Sequence, residues 1–471
     1  MQVTWIGWVL IPVSLWLVLL RPNWLYLLAV FFLPFTSTSV INVGSGYTAS
    51  GLPPSMFLAI LLMLRYTLLG LWKRTLPLPR QERMTMIWLG LFVAVAGLSL
   101  IMPVWLDSHI VIPPEELLGG HSTLLHLKSR NITSFLYVLF GYLFVYITVI
   151  LNQTILMYRK TLKAFMAGSA FAALWGLFEF FCKSTGIGFP GQLLNTSTNP
   201  VSHGYLQRSE AVFRLSSVAV EPSVLAQTLL IPLCLGLPFA LGKFTLFGKR
   251  ADRLLLCSVF AVLCLSTSSL AYVGIALILV MILVMFAMKG ILRLKHLILP
   301  AAIIALAWLL NNFVPIVHRV LFISVFSKSD SYSAIERFRT IQNSYVMFLG
   351  HPMLGIGWAS IASHDVVINL LANAGVFALL FFAIAMYSMF AGLYRTLKQK
   401  GRHLHAEHLL RMDFAAYLAL AVLLATSELN GIIYEFTFFW FVFGLAIATS
   451  GLAGTDSLLS ATSDSQPQCI A

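Results

Sequence analysis

Five arginines fall within two stretches of a chain that is otherwise poor in charge: Arg208 and Arg214 in residues 183–222, and Arg319, Arg337 and Arg339 in residues 315–365. A guanidinium presents a planar fork of donors that matches two phosphate oxygens at once, so several forks brought together would hold a pyrophosphate. The same stretches carry Glu210, Glu221, Asp330, Glu336 and Asp365. Solvated pairs such as Glu210 with Arg214, or Glu336 with Arg337 or Arg339, are therefore the competing reading. A second group lies in the run His351-Pro-Met-Leu-Gly-Ile-Gly357 and in Ser363-His364-Asp365 just beyond it. Gly355 and Gly357 permit a tight turn. His364 precedes a long apolar run, which would set it at a helix N-terminus. There the partial positive charge disfavours imidazolium and leaves a neutral ring able to accept a proton. Ser363 or Asp365 would cap that helix, or Asp365 would orient the imidazole. His351, beside Pro352, reads as structural. A loop histidine is more often simply solvated or hydrogen-bonded, and that reading stands beside the catalytic one.

Other chemistries find less support. The cysteines (Cys182, Cys234, Cys257, Cys264, Cys469) lie mostly in apolar runs without a C-x-x-C pair, which suggests neither a disulfide framework nor a zinc site. No D-x-D occurs, which argues against a metal-held nucleotide sugar, and no metal or cofactor is expected. Glu428 and Glu435 could form the carboxylate pair of a glycoside hydrolase, but two acids at a helix end are more often a cap or an ion pair.

The elements that must position these residues are read from hydropathy. Of 471 residues 59% are apolar and only 10% charged, with a mean hydropathy of +0.88, whereas soluble domains carry roughly 25% charged residues. A soluble enzyme is excluded, and an all-α polytopic integral membrane protein with a lipid bilayer as its main solvent is expected. Apolar runs of spanning length occur near 5–20, 24–41, 55–72, 85–106, 133–151, 164–182, 223–242, 254–267, 269–288, 297–314, 366–393, 412–428 and 436–453. The first is short and close to the second, so twelve or thirteen transmembrane helices are expected. It lacks a basic leader and a small-residue cleavage site and is read as retained.

The net charge of +13 is topological rather than a sign of nucleic-acid binding, and no nucleic-acid partner is expected. Alternate loops hold twenty and nine of the basic residues, with Arg65 inside a span. The positive-inside bias puts the richer set in the cytoplasm and 107–132, 183–222 and 315–365 outside. Thirteen spans would start the chain outside, twelve inside. The chain thus divides into N-terminal transmembrane helices over 1–182, an arginine-bearing outward loop over 183–222, central helices over 223–314, a large outward loop over 315–365 carrying His364, C-terminal helices over 366–453 and a flexible tail over 454–471. Both long loops contain enough apolar residues to fold as a structured cap. Within the second, Ile335, Phe338, Ile341, Tyr345 and Phe348 recur at steps of three and four, the pattern of an amphipathic helix on a membrane surface or over a cavity.

The order Arg214-Leu-Ser-Ser-Val-Ala-Val-Glu221-Pro222-Ser, the turn Leu265-Ser-Thr-Ser-Ser269, then Glu336-Arg337, His351-Pro-x-x-Gly355-x-Gly357 and His364 resembles the bacterial O-antigen ligase and O-antigen polymerase superfamily over roughly residues 200–390. His364-Asp365, nine residues, then Gly375 resembles the ligase motif. Two departures are plain: Asp365 stands where ligases favour Asn, Ser or Gln, and Leu270 where many members have Arg. Glu221-Pro222 looks closer to the exopolysaccharide and O-antigen polymerase branch, and polymerase is favoured over ligase.

The resemblance implies a multispanning glycosyltransferase of the bacterial inner membrane with its site facing the periplasm. Its donor would be an undecaprenyl-pyrophosphate-linked glycan and its acceptor a glycan or lipid A core, with a chain-length regulator as a possible partner. Arg214 and Arg337 would bind pyrophosphate, with Arg208 and Arg339 beside them and Glu221 in support. His364, with Asp365, would take the proton from the attacking sugar hydroxyl in a metal-independent, inverting step. The rival class is a lipid-linked oligosaccharide transporter, which would place ionisable residues at the bilayer midplane and show related halves. Here intramembrane charges are few, chiefly Arg65 and Glu179, and no halves match.

Overall fold

The structure, a computed structural model, describes residues 1–471 except 45–49, 70–77, 79, 115–120, 199–203, 207, 210–211, 243–244, 289–297, 299–300, 302–304, 306–311, 314–331, 400–403, 432–433 and 464–471. Helices make up nearly all of the described secondary structure: α1 (Trp5–Leu20), α2 (Pro22–Phe31), α3 (Pro54–Leu68), α4 (Arg80–Ser99), α5 (Met102–Trp105), α6 (Ser129–Leu151), α7 (Ile155–Thr185), α8 (Pro222–Leu241), α9 (Lys249–Leu265), α10 (Ser269–Met288), α11 (Tyr332–Gly350), α12 (Val366–Gln399), α13 (Leu404–Asn430) and α14 (Thr437–Ser463). Six are long and apolar enough to cross a bilayer and five shorter apolar helices accompany them among the described residues, so the chain is an all-α multi-pass membrane protein. Most of the expected span over 297–314, and residues 315–331 of the second loop with Arg319 and Asp330, lie outside the described residues. The stretch 454–463, expected as part of a flexible tail, continues α14 because no proline interrupts it.

α8 is the axis. It buries nearly all of its length against α9, α10 and α13, while α4 runs along α12 and α6 along α14. Pro222 occupies its first turn, where a missing N–H leaves no donor unsatisfied.

The expected span over 24–41 is corrected: α2 ends at Phe31, about 15 Å of rise against a hydrocarbon core of about 30 Å. Beyond it Pro34 interrupts helix formation, and the chain continues through turns and bends, largely buried. Its backbone is satisfied from elsewhere, Ser37 N donating to Val218 O (3.0 Å) and Ser197 N to Ser37 O (3.2 Å). The chain then enters a three-stranded antiparallel sheet of β1 (Gln2–Val3), β2 (Ile41–Val43) and β3 (Ser50–Leu52).

Hydrogen bonds show which ends share a face. Trp5 Nε1 donates to Leu193 O (2.9 Å) and Asn42 Nδ2 to Thr196 O (2.9 Å), so the N-terminus, the β2–β3 hairpin and the 186–198 loop lie together. At the opposite face Arg65, in the last turn of α3, donates to the carbonyls of Val18 and Leu19 (2.8 Å to Leu19) where α1 ends. This intramembrane arginine is a helix cap. The first apolar run is thus a helix of its own, and the N-terminus lies on the face of the 186–198 loop.

Candidate active site

The two arginine-bearing segments meet over the N-terminus of α8, where Glu221 is the N-cap residue. Arg214 arrives on the chain leaving the hairpin of β6 (Arg208–Ser209) and β7 (Val212–Phe213), and Arg337 arrives on α11. Both feel Glu221 electrostatically, and Arg337 acts on Arg214. Burial pulls both guanidinium groups below their ordinary range; Glu221 opposes the shift at each, while Arg337 adds to it at Arg214. At neutral pH both stay charged. Among the described residues the ion pairs are Asp107 with His126 and Glu179 with Lys183, so neither arginine closes on Glu221. Two desolvated cations share one acid without sealing against it, an arrangement that favours an incoming anion.

The two forks are held differently. Arg337 Nη1 donates to Leu429 O (2.7 Å) and Nη2 to Asn430 Oδ1 (3.3 Å), and Asn430 Nδ2 donates to Gln227 Oε1 (3.4 Å) on α8. The guanidinium of Arg214 makes no hydrogen bond among the described residues, but its backbone is fixed from below. Lys183 Nζ donates to Arg214 O (2.8 Å) and to Glu179 Oε1 (2.7 Å), and Glu179 Oε2 accepts from Ser216 N (3.2 Å) and Ser217 N (2.7 Å). Glu179, fully buried, thus anchors the loop.

His364 lies one layer away. Its Nδ1 is 3.0 Å from Thr340 Oγ1, and Thr340 Oγ1 donates to Arg337 O (2.8 Å). With the single hydroxyl proton directed at the carbonyl, a neutral His364 ring would donate Nδ1–H to Oγ1 and carry its lone pair on Nε2. One turn of α11 therefore carries both an anion-facing arginine and the group that sets the histidine's tautomer. Of the two roles expected for Asp365, capping the helix or orienting the imidazole, the structure has the cap: Asp365 Oδ1 accepts from Ile368 N (2.7 Å) at the start of α12. Glu428 on α13 accepts at the same terminus from Val366 N (3.1 Å) and Val367 N (3.4 Å). The positive end of α12 thus acts on two carboxylates rather than on the imidazole.

Glycines fix the loop that carries His364. α12 breaks at Gly375 (φ 76°, ψ −176°), and a Cβ there would lie 2.0 Å from Met353 O. Into the break fits the 351–357 turn, with Ile356 N donating to Ala372 O (2.8 Å) and Val376 N to Pro352 O (2.9 Å). Gly355 (φ 63°) and Gly357 (φ 110°) make the turn expected of them.

Arg339, two residues from Arg337, falls on another face of α11, and nothing among the described residues joins it to Glu221. Arg208 is on β6, and its side chain lies outside the described residues, as does Glu210. Leu270 is buried in the core, where the family pattern would have a basic contact. Sequence reasoning missed Thr340, Asn430, Gln227 and Lys183; for the last three the signal was a polar side chain toward the end of an apolar helix, whereas Thr340, inside an amphipathic helix, gave none. Models of known protein families give no match to the chain, and no curated protein matches it. Fold and site together define a multi-pass helical membrane protein with a half-buried cationic site at one face.

Proposed function

We propose that the protein is a membrane glycosyltransferase that polymerises a surface polysaccharide from a polyprenyl-pyrophosphate-linked oligosaccharide. The observation that carries this reading is the pairing on α11: Arg337 beside Arg214, and Thr340 one turn on holding His364 Nδ1 at 3.0 Å. In the step, an acceptor hydroxyl oxygen bonds to the donor's anomeric carbon while the bond from that carbon to the pyrophosphate oxygen breaks. His364 Nε2 takes the hydroxyl proton, and Arg214 and Arg337 stabilise the charge growing on the departing polyprenyl pyrophosphate. Attack opposite the leaving group inverts the anomeric centre. The positive-inside bias makes the site's face periplasmic in a bacterial inner membrane. The transport reading weakens because Arg65 and Glu179 are engaged in a cap and a loop anchor.

The test is purified protein in proteoliposomes supplied with a lipid-pyrophosphate oligosaccharide. A ladder of products is expected. One transfer to lipid A core would mean ligase, and movement without a new bond would mean transport. His364→Ala should lower turnover about 100-fold to 10,000-fold with donor binding kept. Turnover near wild type would remove the histidine from the mechanism.

A further inference from the structure

At the end of the bundle away from Arg214, two neighbouring helices bring six exposed bases together. Arg159, Lys160 and Lys163 lie in the first turns of α7, and Lys249, Arg250 and Arg253 in the first turns of α9. Arg159 Nη2 donates to Thr245 O (3.4 Å) and Lys163 Nζ stands 5.9 Å from the centre of the Phe247 ring, so the start of α7 is joined to the turn leading into α9. The acid between them, Asp252, is buried and already engaged: its oxygens accept from Leu246 N (2.8 Å) and Phe247 N (3.0 Å). None of the six bases pairs with a carboxylate among the described residues. Lys249 and Arg250 also sit at the positive end of α9, where cations oppose the helix dipole, and the N-cap residue there, Gly248, has no side chain to cap the first amides. The positive-inside bias accounts for bases in these loops but not for their convergence across two helices at an uncapped helix start. Gathered cations and unfilled amide donors call for an anion from outside the chain. Deeper along α9, Leu254 (71%) and Phe260 (37%) are exposed, so the same face turns apolar toward the middle of the membrane.

We propose that this patch binds an anionic phospholipid, its phosphates among the bases and its acyl chains along Leu254 and Phe260. The inference does not depend on the glycosyl-transfer reading. Guanidinium forks match phosphate oxygens, and clustered bases at the ends of membrane helices are a recurring seat for such headgroups. The apolar face beside the cations fits a molecule that carries both a phosphate and a hydrocarbon chain, which a free anion does not. Because the bases are divided between α7 and α9, a lipid with two phosphates reaches both groups at once, and one with a single phosphate reaches fewer of them.

The test is purified, delipidated protein in mild detergent, titrated with cardiolipin, phosphatidylglycerol or inorganic phosphate and followed by native mass spectrometry and thermal melts. Cardiolipin is expected to bind and to raise the melting temperature, phosphatidylglycerol to do so less, and inorganic phosphate not at all. A variant carrying Lys163→Gln, Lys249→Gln and Arg250→Gln should bind cardiolipin on the order of 100-fold more weakly, at roughly a factor of five for each base lost near a phosphate surface. None of the three donates a hydrogen bond within the described residues, and their removal relieves repulsion. The lipid-free melting temperature should therefore hold or rise, which separates lost binding from lost folding. If the triple variant fails to fold, Arg250→Gln alone, expected to bind about fivefold more weakly, decides in its place. Lys128→Gln, an exposed base ahead of α6 at the other end of the bundle, should bind as wild type does. Wild-type affinity in the triple variant, or an equal loss in Lys128→Gln, would overturn the site. Inorganic phosphate that stabilises the protein as well as cardiolipin does would overturn the lipid as its occupant.

Discussion

At the scale of single residues, the two arginines near Glu221 differ in how much of the fork is already engaged. Arg337 donates to Leu429 O and Asn430 Oδ1, so it is oriented before any ligand arrives. Arg214 is desolvated and makes no hydrogen bond among the described residues, so burying it works against folding while favouring an anion. Arg214→Gln should therefore leave the melting temperature equal or higher and abolish the stabilisation that added inorganic pyrophosphate gives the wild type. Arg214→Lys should restore only part of it, because an ammonium is a point charge without the fork. Pyrophosphate that stabilises Arg214→Gln as well as wild type would make the arginine a bystander. These residues were legible because arginine is conspicuous in an apolar chain; Thr340 was not. A threonine inside an amphipathic helix reads as filler until the fold sets it against His364, twenty-four positions away.

At the scale of elements, the break in α12 organises the site. Gly375 has a φ of 76° with ψ near 180°, a region open essentially to glycine alone. Its missing Cβ also lets the Met353 carbonyl approach, which seats the 351–357 turn and hence the loop to His364. Gly375→Ala should cost about 1–3 kcal/mol from the backbone alone and more from the displaced carbonyl. Turnover per folded molecule should fall with it, whereas Gly186→Ala at the C-cap of α7, where a Cβ meets nothing within 4 Å, should lower stability modestly and spare turnover. Equal effects at both glycines, measured by thermal melts and turnover, would detach the break from the site. Helix α11 was legible from its periodicity, but its orientation was not. Thr340 and Ser344 turn inward while Phe338, Val346 and Leu349 are about 60% exposed, so the apolar face looks away from the protein, as lipid rather than water would favour. The failure at 24–41 has the opposite cause: hydropathy cannot separate a helix from buried irregular chain, and only Pro34 marked the difference.

At the scale of the whole molecule, sidedness ties the fold to the chemistry. Hydrogen bonds from Trp5 and Asn42 to the 193–196 segment put the N-terminus on the same face as Arg214, and Arg65 ties the end of α1 to the other. The excess of basic residues in the opposite set of loops predicts that this other face is the cytoplasmic one. A chain threaded this way exposes Gln2 and Leu206 outward and Lys249, in the first turn of α9, inward. In cells expressing a cysteine-free background, Gln2→Cys and Leu206→Cys should react with a membrane-impermeant maleimide, and Lys249→Cys only after lysis. Labelling of Gln2→Cys and Leu206→Cys from opposite sides would break the observed packing. Labelling of Lys249→Cys alone in intact cells would invert the molecule and bring both arginines to the cytoplasm, where a lipid-linked glycan awaiting polymerisation at the outer face could not reach them. The handedness of the insertion, expected from charge alone, is therefore the condition on which the proposed transfer depends.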